Sequence, residues 1–261
     1  MYNGPFRNHR RCFDAAAFTI IAAFSHQLCA QPDPPAGSIR VIGRNATFTV
    51  NSARPMQSVA YTFIQEYGWP VTFEEAPIAY AGEMVDATVN FSAGIRAYDP
   101  RGGRLEFSYR VAEDGKRPSD PLPVLIAAIE AYHQAGLPGR YEVASSRGYF
   151  HIVPTAHHNE RGILQPVRSA LDAIVTVGGG GRSVWPVFND FVRAVERASG
   201  YRIGIGNSPF CRGDQASIEQ RFENVQGRVV LRALIGATGQ LRPWLLMCKP
   251  GRKECALSIL Y

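Results

Sequence analysis

The chain has 261 residues, 46% of them hydrophobic and 19% charged, with a formal net charge of +6. Its arginines are dispersed and no block of about five or more like charges occurs, which excludes a nucleic-acid footprint; the mild excess of positive charge favours solubility. The length admits one large domain or two small ones.

At the amino terminus Arg7, Arg10 and Arg11 precede an apolar run from Ala15 to Phe24, followed by the more polar Ser25 to Gln31 and the proline-rich Pro32 to Pro35. A basic segment, a short apolar segment and a small residue before the break describe a secretory signal peptide, residues 1–30, cleaved after Ala30. The run is shorter than the roughly 20 apolar residues that span a bilayer. The expected product is exported, periplasmic or secreted, with no membrane span after cleavage and no nucleic-acid partner. A retained amphipathic anchor is the rival. A lipoprotein at Cys29 is disfavoured because His26, Gln27 and Leu28 precede it. Cleavage removes three arginines and one aspartate, leaving a net charge of +4.

The remaining cysteines are Cys211, Cys248 and Cys255. Cys248 and Cys255 flank the turn-rich KPGRKE between two apolar runs, so two paired strands would bring them opposite one another for a disulfide. The rival pairs Cys211 with one of them, and either way one thiol stays free.

In chain order, Ser38 to Val41 and Thr47 to Val50 read as entry strands. Ala53 to Tyr67 reads as a helix, with Met56, Val59, Ala60 and Phe63 on one apolar face. Gly68 ends it and leads into a strand, Trp69 to Phe73. The segment 74–103 is weakly patterned, with one alternation from Asp86 to Phe91, and so long a connection is usually functional or mobile. Arg104 to Val111 alternates strictly and is a strand. Ser119, Asp120 and Pro121 start a second helix that runs from Leu122 to Gln134 and stops at Gly136. Arg140 to Val143 and Tyr149 to Val153 flank a turn as a hairpin. Residues 155–170 read as a linker.

The order then recurs. A strand, Ala173 to Val177, precedes a helix over Val184 to Ser199 with Phe188, Phe191, Val192 and Val195 on its apolar face, then Gly200 and a strand from Tyr201. Ile218 to Val225 reads as a strand, Val229 to Ile235 as a short helix, and Leu241 to Cys248 with Cys255 to Leu260 as a closing hairpin. The offset between the copies is constant at 132 residues, from Met56/Phe188 to Gly68/Gly200. The expected fold class is α/β (α+β) in two tandem modules, residues 31–154 and 171–261. Each is approximately β-α-β-β-α-β-β, with helices packed on a small mixed sheet.

The segments IQEYGWPVTF and VERASGYRIGI, each a helix ending in glycine before a strand, and LIAAIEAYHQAG and VVLRALIGATG, second helices with a glycine-rich end, carry a resemblance. The chain resembles the secretin and TonB N-terminal short domains (STN domains) over most of residues 47–155 and 171–260. The resemblance implies an envelope protein that contacts other proteins, within a ring of subunits or with a signalling partner.

No set of residues converges on a reaction. Gly178 to Gly181 lies between a strand and a helix, where an anion could be cradled, but it lacks the phosphate-loop pattern and reads as a connector. His157 and His158 are neighbours on an extended segment and point apart, which disfavours a metal site with Glu160 and His151. Glu74 and Glu75 face opposite sides of a strand, a poor arrangement for paired acid and base work. No GxSxG nucleophile motif occurs, and Arg212-Gly213-Asp214 is a chance tripeptide. Catalytic residues, cofactors and metal ligands are therefore not expected. The leading expectation is a non-enzymatic interaction module for an envelope protein partner. The alternative is a small hydrolase or ligand binder with a cleft between the modules, formed by His151, His157, Glu160 and Arg161 with Glu74 or Glu75. A deep cleft joining those residues would favour the alternative; unpaired strand edges would favour the interaction module.

Overall fold

The computed structural model describes residues 37–88, 97–113, 117–208, 210 and 216–260. The expected signal peptide, Cys211, the Arg212-Gly213-Asp214 tripeptide and the end of the alternation at 89–91 lie outside the described residues. The first half comprises β1 (Ser38–Ile42), β2 (Asn45–Ser52), α1 (Pro55–Tyr67), β3 (Val71–Glu74), β4 (Met84–Asp86), β5 (Tyr98–Pro100), β6 (Gly103–Arg110), α2 (Pro121–Gln134), β7 (Arg140–Ser146), β8 (Tyr149–His158) and β9 (Leu164–Pro166). The second comprises β10 (Ile174–Val177), β11 (Arg182–Ser183), α3 (Val184–Ser199), β12 (Arg202–Ile205), β13 (Ser217–Ile218), β14 (Phe222–Gln226), α4 (Gly227–Gly236), β15 (Trp244–Cys248) and β16 (Glu254–Ile259). The class is mixed α+β, as the sequence implies. No described helix is long and apolar enough to cross a membrane.

The helix ends follow the local chemistry. Pro55 opens α1, where its fixed φ suits the first turn and its missing N–H is not needed. Gly68 and Gly200 close α1 and α3 with φ of 64° and 75°, the left-handed conformation that costs a side chain most. Asp120 caps α2 by accepting the Leu122 N–H at 3.0 Å.

The two halves repeat one pairing pattern. In the first, β2 pairs antiparallel with β6, β3 pairs parallel with β8, and β8 pairs antiparallel with β7. In the second, β10 pairs antiparallel with β14, β12 parallel with β16, and β16 antiparallel with β15. The halves are joined by a parallel pairing of β15 with β3, Leu245 opposite Phe73 and Leu246 opposite Glu74. The result is one continuous sheet in the order β12-β16-β15-β3-β8-β7, with β9 paired to the end of β8.

Two cores lie on opposite faces of this sheet. One gathers Phe48, Met56, Phe63, Val71, Phe73, Leu105, Leu125, Tyr141 and Ile152; the other gathers Leu171, Phe188, Phe191, Val195, Ile203, Leu231, Leu257 and Ile259. Strand β15 serves both, because successive side chains point to opposite faces. Leu245 and Met247 enter the first core, while Trp244, Leu246 and Cys248 enter the second. Since β15 is parallel to β3 and antiparallel to β16, the strands of one half run opposite to their counterparts in the other. The halves are thus related by about a half-turn around an axis across the strands, which exchanges both strand direction and sheet face.

Three expectations change. Residues 155–170 are not an extended linker: Thr155 to His158 complete β8, and β9 pairs back on them with Ala156 opposite Pro166 and His158 opposite Leu164. The alternation of strand β8 simply continues past the point where polar residues take over. The stretch from Ile218 to Val225 is not one strand, because β13 pairs with β11 while β14 pairs with β10. The segment 74–103 contains the antiparallel pair β4 and β5, Met84 opposite Pro100. Cys248 and Cys255 stand directly opposite on β15 and β16 and are bridged.

Candidate functional site

The polar residues of the central sheet gather on the face covered by α4. Val71, Phe73, Phe150 and Ile152 point to the first core, so Thr72, Glu74 and His151 point the other way, towards the second half. All three are buried. Arg228 and Arg232 come from α4, four residues apart and therefore on one side of it.

Arg228 holds Glu74 in a two-pronged pair, its Nε and Nη2 each donating to one carboxylate oxygen at 2.7 Å, and its Nη1 lies 2.9 Å from Asp172 Oδ1. Trp244 Nε1 also donates to Glu74 Oε1 at 3.4 Å. The two carboxylates outweigh the burial of Arg228 and keep its guanidinium charged. Gln226 steadies Asp172 by donating to its Oδ1 at 2.6 Å.

Glu75 turns to a different set of partners. It accepts from Arg54 Nε at 2.9 Å and from the Cys248 N–H at 2.7 Å, while Arg54 Nη2 donates to the Cys248 carbonyl at 3.2 Å. Burial pushes the Glu75 carboxyl up, and Arg54 and the Cys248 N–H pull it back. Both glutamates therefore fasten a strand of the first half to an element of the second.

His151 stands in a third group. Its Nδ1 is 2.8 Å from Thr72 Oγ1, its Nε2 is 3.0 Å from Ser146 Oγ, and Ser146 Oγ accepts from Arg232 Nη1 at 2.9 Å. The ring stacks beside Tyr149 and Trp244, with centroids 5.8 and 5.3 Å away. A hydroxyl next to an imidazole invites comparison with a nucleophile and its base. The environment argues against it. Burial first, then Arg228 and Arg232, push the imidazole down to about 4, so it is a weak base at neutral pH. The group on Nδ1 is a hydroxyl rather than a carboxylate, so an imidazolium formed there would have no compensating charge.

The other expected cleft residues are not brought to this place. His157 lies six residues beyond His151, roughly 20 Å along the strand, where it meets Gln165 Nε2 at 3.0 Å. His158 pairs with Glu83 at 2.7 Å. Glu160 and Arg161 are exposed in the β8–β9 turn. The cleft expected from His151, His157, Glu160, Arg161, Glu74 and Glu75 therefore does not form: the strand spreads the first four, and its alternation sends the two glutamates to different partners. No group of His, Cys, Asp or Glu suited to a metal occurs among the described residues.

A different depression, of about 430 Å³, does lie at the seam of the halves, lined by Arg147 and Tyr149 of the β7–β8 hairpin and by Phe222, Val229, Arg232 and Leu241 of the second half. Arg147 has φ of 46° in the turn before Gly148. Neither Arg147 nor Arg232 pairs with a carboxylate among the described residues, and burial first, then Arg147, lowers the pKa of Arg232.

Sequence reasoning missed Arg228, Arg232, Thr72 and Ser146. The available signal was a pair of arginines at i and i+4 on a helix whose remaining positions are apolar, facing strands with polar residues at alternate positions. Comparison with protein-family models, with curated proteins and with solved structures finds no match.

Two tests follow from these contacts. Arg228→Met strands the Glu74 carboxylate in the sheet and should cost about 3–5 kcal/mol in urea unfolding. Adding Glu74→Gln should recover part of that loss, and a double variant no more stable than the single one would show that the stranded charge is not its cause. For His151, the folded imidazole titrates near 4 and the unfolded one near 6.5. Between those values the unfolded chain binds the extra proton, so this group's contribution is present above the unfolded value and is lost as the pH falls towards 4. Wild type should lose its advantage over His151→Gln by about 3 kcal/mol from pH 7.5 to 4. Glu75 titrates in both proteins and cancels in that difference. A gap independent of pH would mean that His151 is not held neutral.

Proposed function

We propose that the chain is an exported, non-enzymatic protein of the cell envelope that acts as a protein-interaction module through two halves resembling STN domains. The observation that carries this reading is the pair of strand edges, β7 and β12, at the two ends of the central sheet: among the described residues β7 pairs with β8 and β12 with β16, and each has one side without a strand. An unpaired edge is a row of backbone donors and acceptors, an aggregation hazard unless it is managed and a ready template for a partner strand. The ionisable groups at the seam support the same reading. Glu74, Glu75, Arg54 and Arg228 are consumed in contacts that hold the halves together, and His151 is too weak a base for acid–base work. The repeated pairing pattern agrees with a duplicated short domain.

A second reading, a ligand-binding protein, is favoured by Arg147 and Arg232 over the apolar floor at the seam, which suit an amphipathic carboxylate. One experiment separates the two. A photo-crosslinking residue at Glu142 on β7 or at Gly204 on β12, in the protein expressed in its own envelope, should give discrete protein adducts. The same residue at Arg193, on the exposed side of α3, should not. The recovered protein should begin at or near Gln31. Absence of adducts from both edges, together with saturable binding of decanoate that Arg232→Glu abolishes, would replace the interaction reading with the ligand-binding one.

A further inference from the structure

The two edges left unpaired among the described residues are copies of the two edges that already meet inside the chain. Equivalence follows from the ladders. Ile152 is opposite Phe73 on one side and Val143 on the other; Leu257 is opposite Ile205 on one side and Leu246 on the other. Strand β7 is therefore the counterpart of β15, and β12 that of β3. The internal junction joins β15 to β3. The edges left over at the ends of the sheet are one of each kind.

We propose that the partner of these edges is a second copy of this chain, docked head to tail, with β12 of one molecule adding parallel to β7 of the next. The inference rests on the interaction reading and names its partner. Applying again the half-turn and shift that relate the halves sets the strand directions: β3 and β8 run together, β7 runs opposite to them, and β12 and β16 run opposite to β3. A second copy's β12 placed by that operation runs with β7, as β3 runs with β15. The register carries over as well. Leu245 opposite Phe73 becomes Glu142 opposite Ile205, and Leu246 opposite Glu74 becomes Val143 opposite Gly206.

The internal junction identifies the backbone groups that the contact would use. At the internal junction the Glu75 N–H donates to the Leu246 carbonyl at 2.8 Å. Its counterpart in the second half is Asn207, whose N–H has a long 3.4 Å contact with Ser258 Oγ and whose carbonyl accepts from the Ile259 N–H at 2.8 Å, both on the β16 side. In the docked pair the Asn207 N–H would exchange this long contact for the Val143 carbonyl. Glu142, Ala144 and Ser145 on one edge and Gly206 and Asn207 on the other are exposed. Neither edge carries the proline or lysine that commonly blunts one. Because the two edges differ, the contact is heterologous and does not close on itself in a dimer. Each added copy leaves one free edge of each kind, so the assembly grows into an open string or, if the rotation closes, a ring.

The test uses the full mature chain, residues 31–261, in a Cys211→Ser background. Sedimentation should show a concentration-dependent series of species that extends beyond the dimer. Glu142→Cys and Ile205→Cys chains, mixed and oxidised, should form a mixed disulfide about tenfold more readily than either forms with an Arg193→Cys control, as expected when docking raises the local concentration of the two thiols. Asn207→Pro, which places a proline on this edge, should shorten the series. Where that variant loses its fold by circular dichroism, the cysteine pairing decides alone. A monomer at every concentration, a closed dimer in which Glu142→Cys pairs with itself, or a mixed disulfide at the control level would each overturn the head-to-tail contact. If any of these is found while edge adducts to a different envelope protein persist, the interaction reading stands and self-assembly falls.

Discussion

The structure depends on the parallel contact of β15 with β3. It is short, two residue pairs and one flanking hydrogen bond, yet it converts two half-sheets with their own helices into one sheet with a core on either face. Strand pairing alone over so few residues would leave the halves free to part. Charged contacts fix the pairing on both sides: Glu74 with Arg228 on one side of the strand, and Glu75 with Arg54 and the Cys248 N–H beside it. Buried pairs of this kind contribute little net stability against an apolar alternative, but losing one member is severely destabilising. They therefore specify which edges meet. A glutamate offered without its arginine would leave a charge in the sheet, so other registers are penalised.

The same chemistry explains why the seam is a poor place for a reaction. Catalytic groups need an accessible proton donor or acceptor with a pKa near the working pH. Here the carboxylates are satisfied by arginine and backbone N–H groups, and the histidine that sits between two hydroxyls is held neutral by burial and by two nearby cations. Among the described residues, the open surface includes an apolar depression with two arginines and two strand edges.

Much of the fold was legible from local pattern. The bounds of α3 and the left-handed glycines at 68 and 200 follow from apolar spacing and backbone sterics, and the bridge between Cys248 and Cys255 follows from a turn-rich hexapeptide between apolar runs. The opposite facing of Glu74 and Glu75 follows from the period of a strand. What was not legible is non-local. Nothing in the residues of β3 or β15 announces that they pair across more than half the chain, because a buried parallel strand reads as an apolar run whatever its neighbour. Residues 155–158 look like a linker because their side chains are polar, although their backbone continues a strand. Arg228 and Arg232 were overlooked for the converse reason: on a short helix they look like a solvated face, and only the sheet beneath them shows that they cover Glu74 and Ser146.

Because the two cores flank one sheet and share β15, the halves should unfold together. Native-state hydrogen exchange in rising urea measures this residue by residue. The most protected amides of β3 and β8 and those of β15 and β16 should converge on one opening free energy with one urea dependence. Two separate limits, with the strands of one half opening while those of the other stay protected, would contradict the account and return the chain to two independent domains.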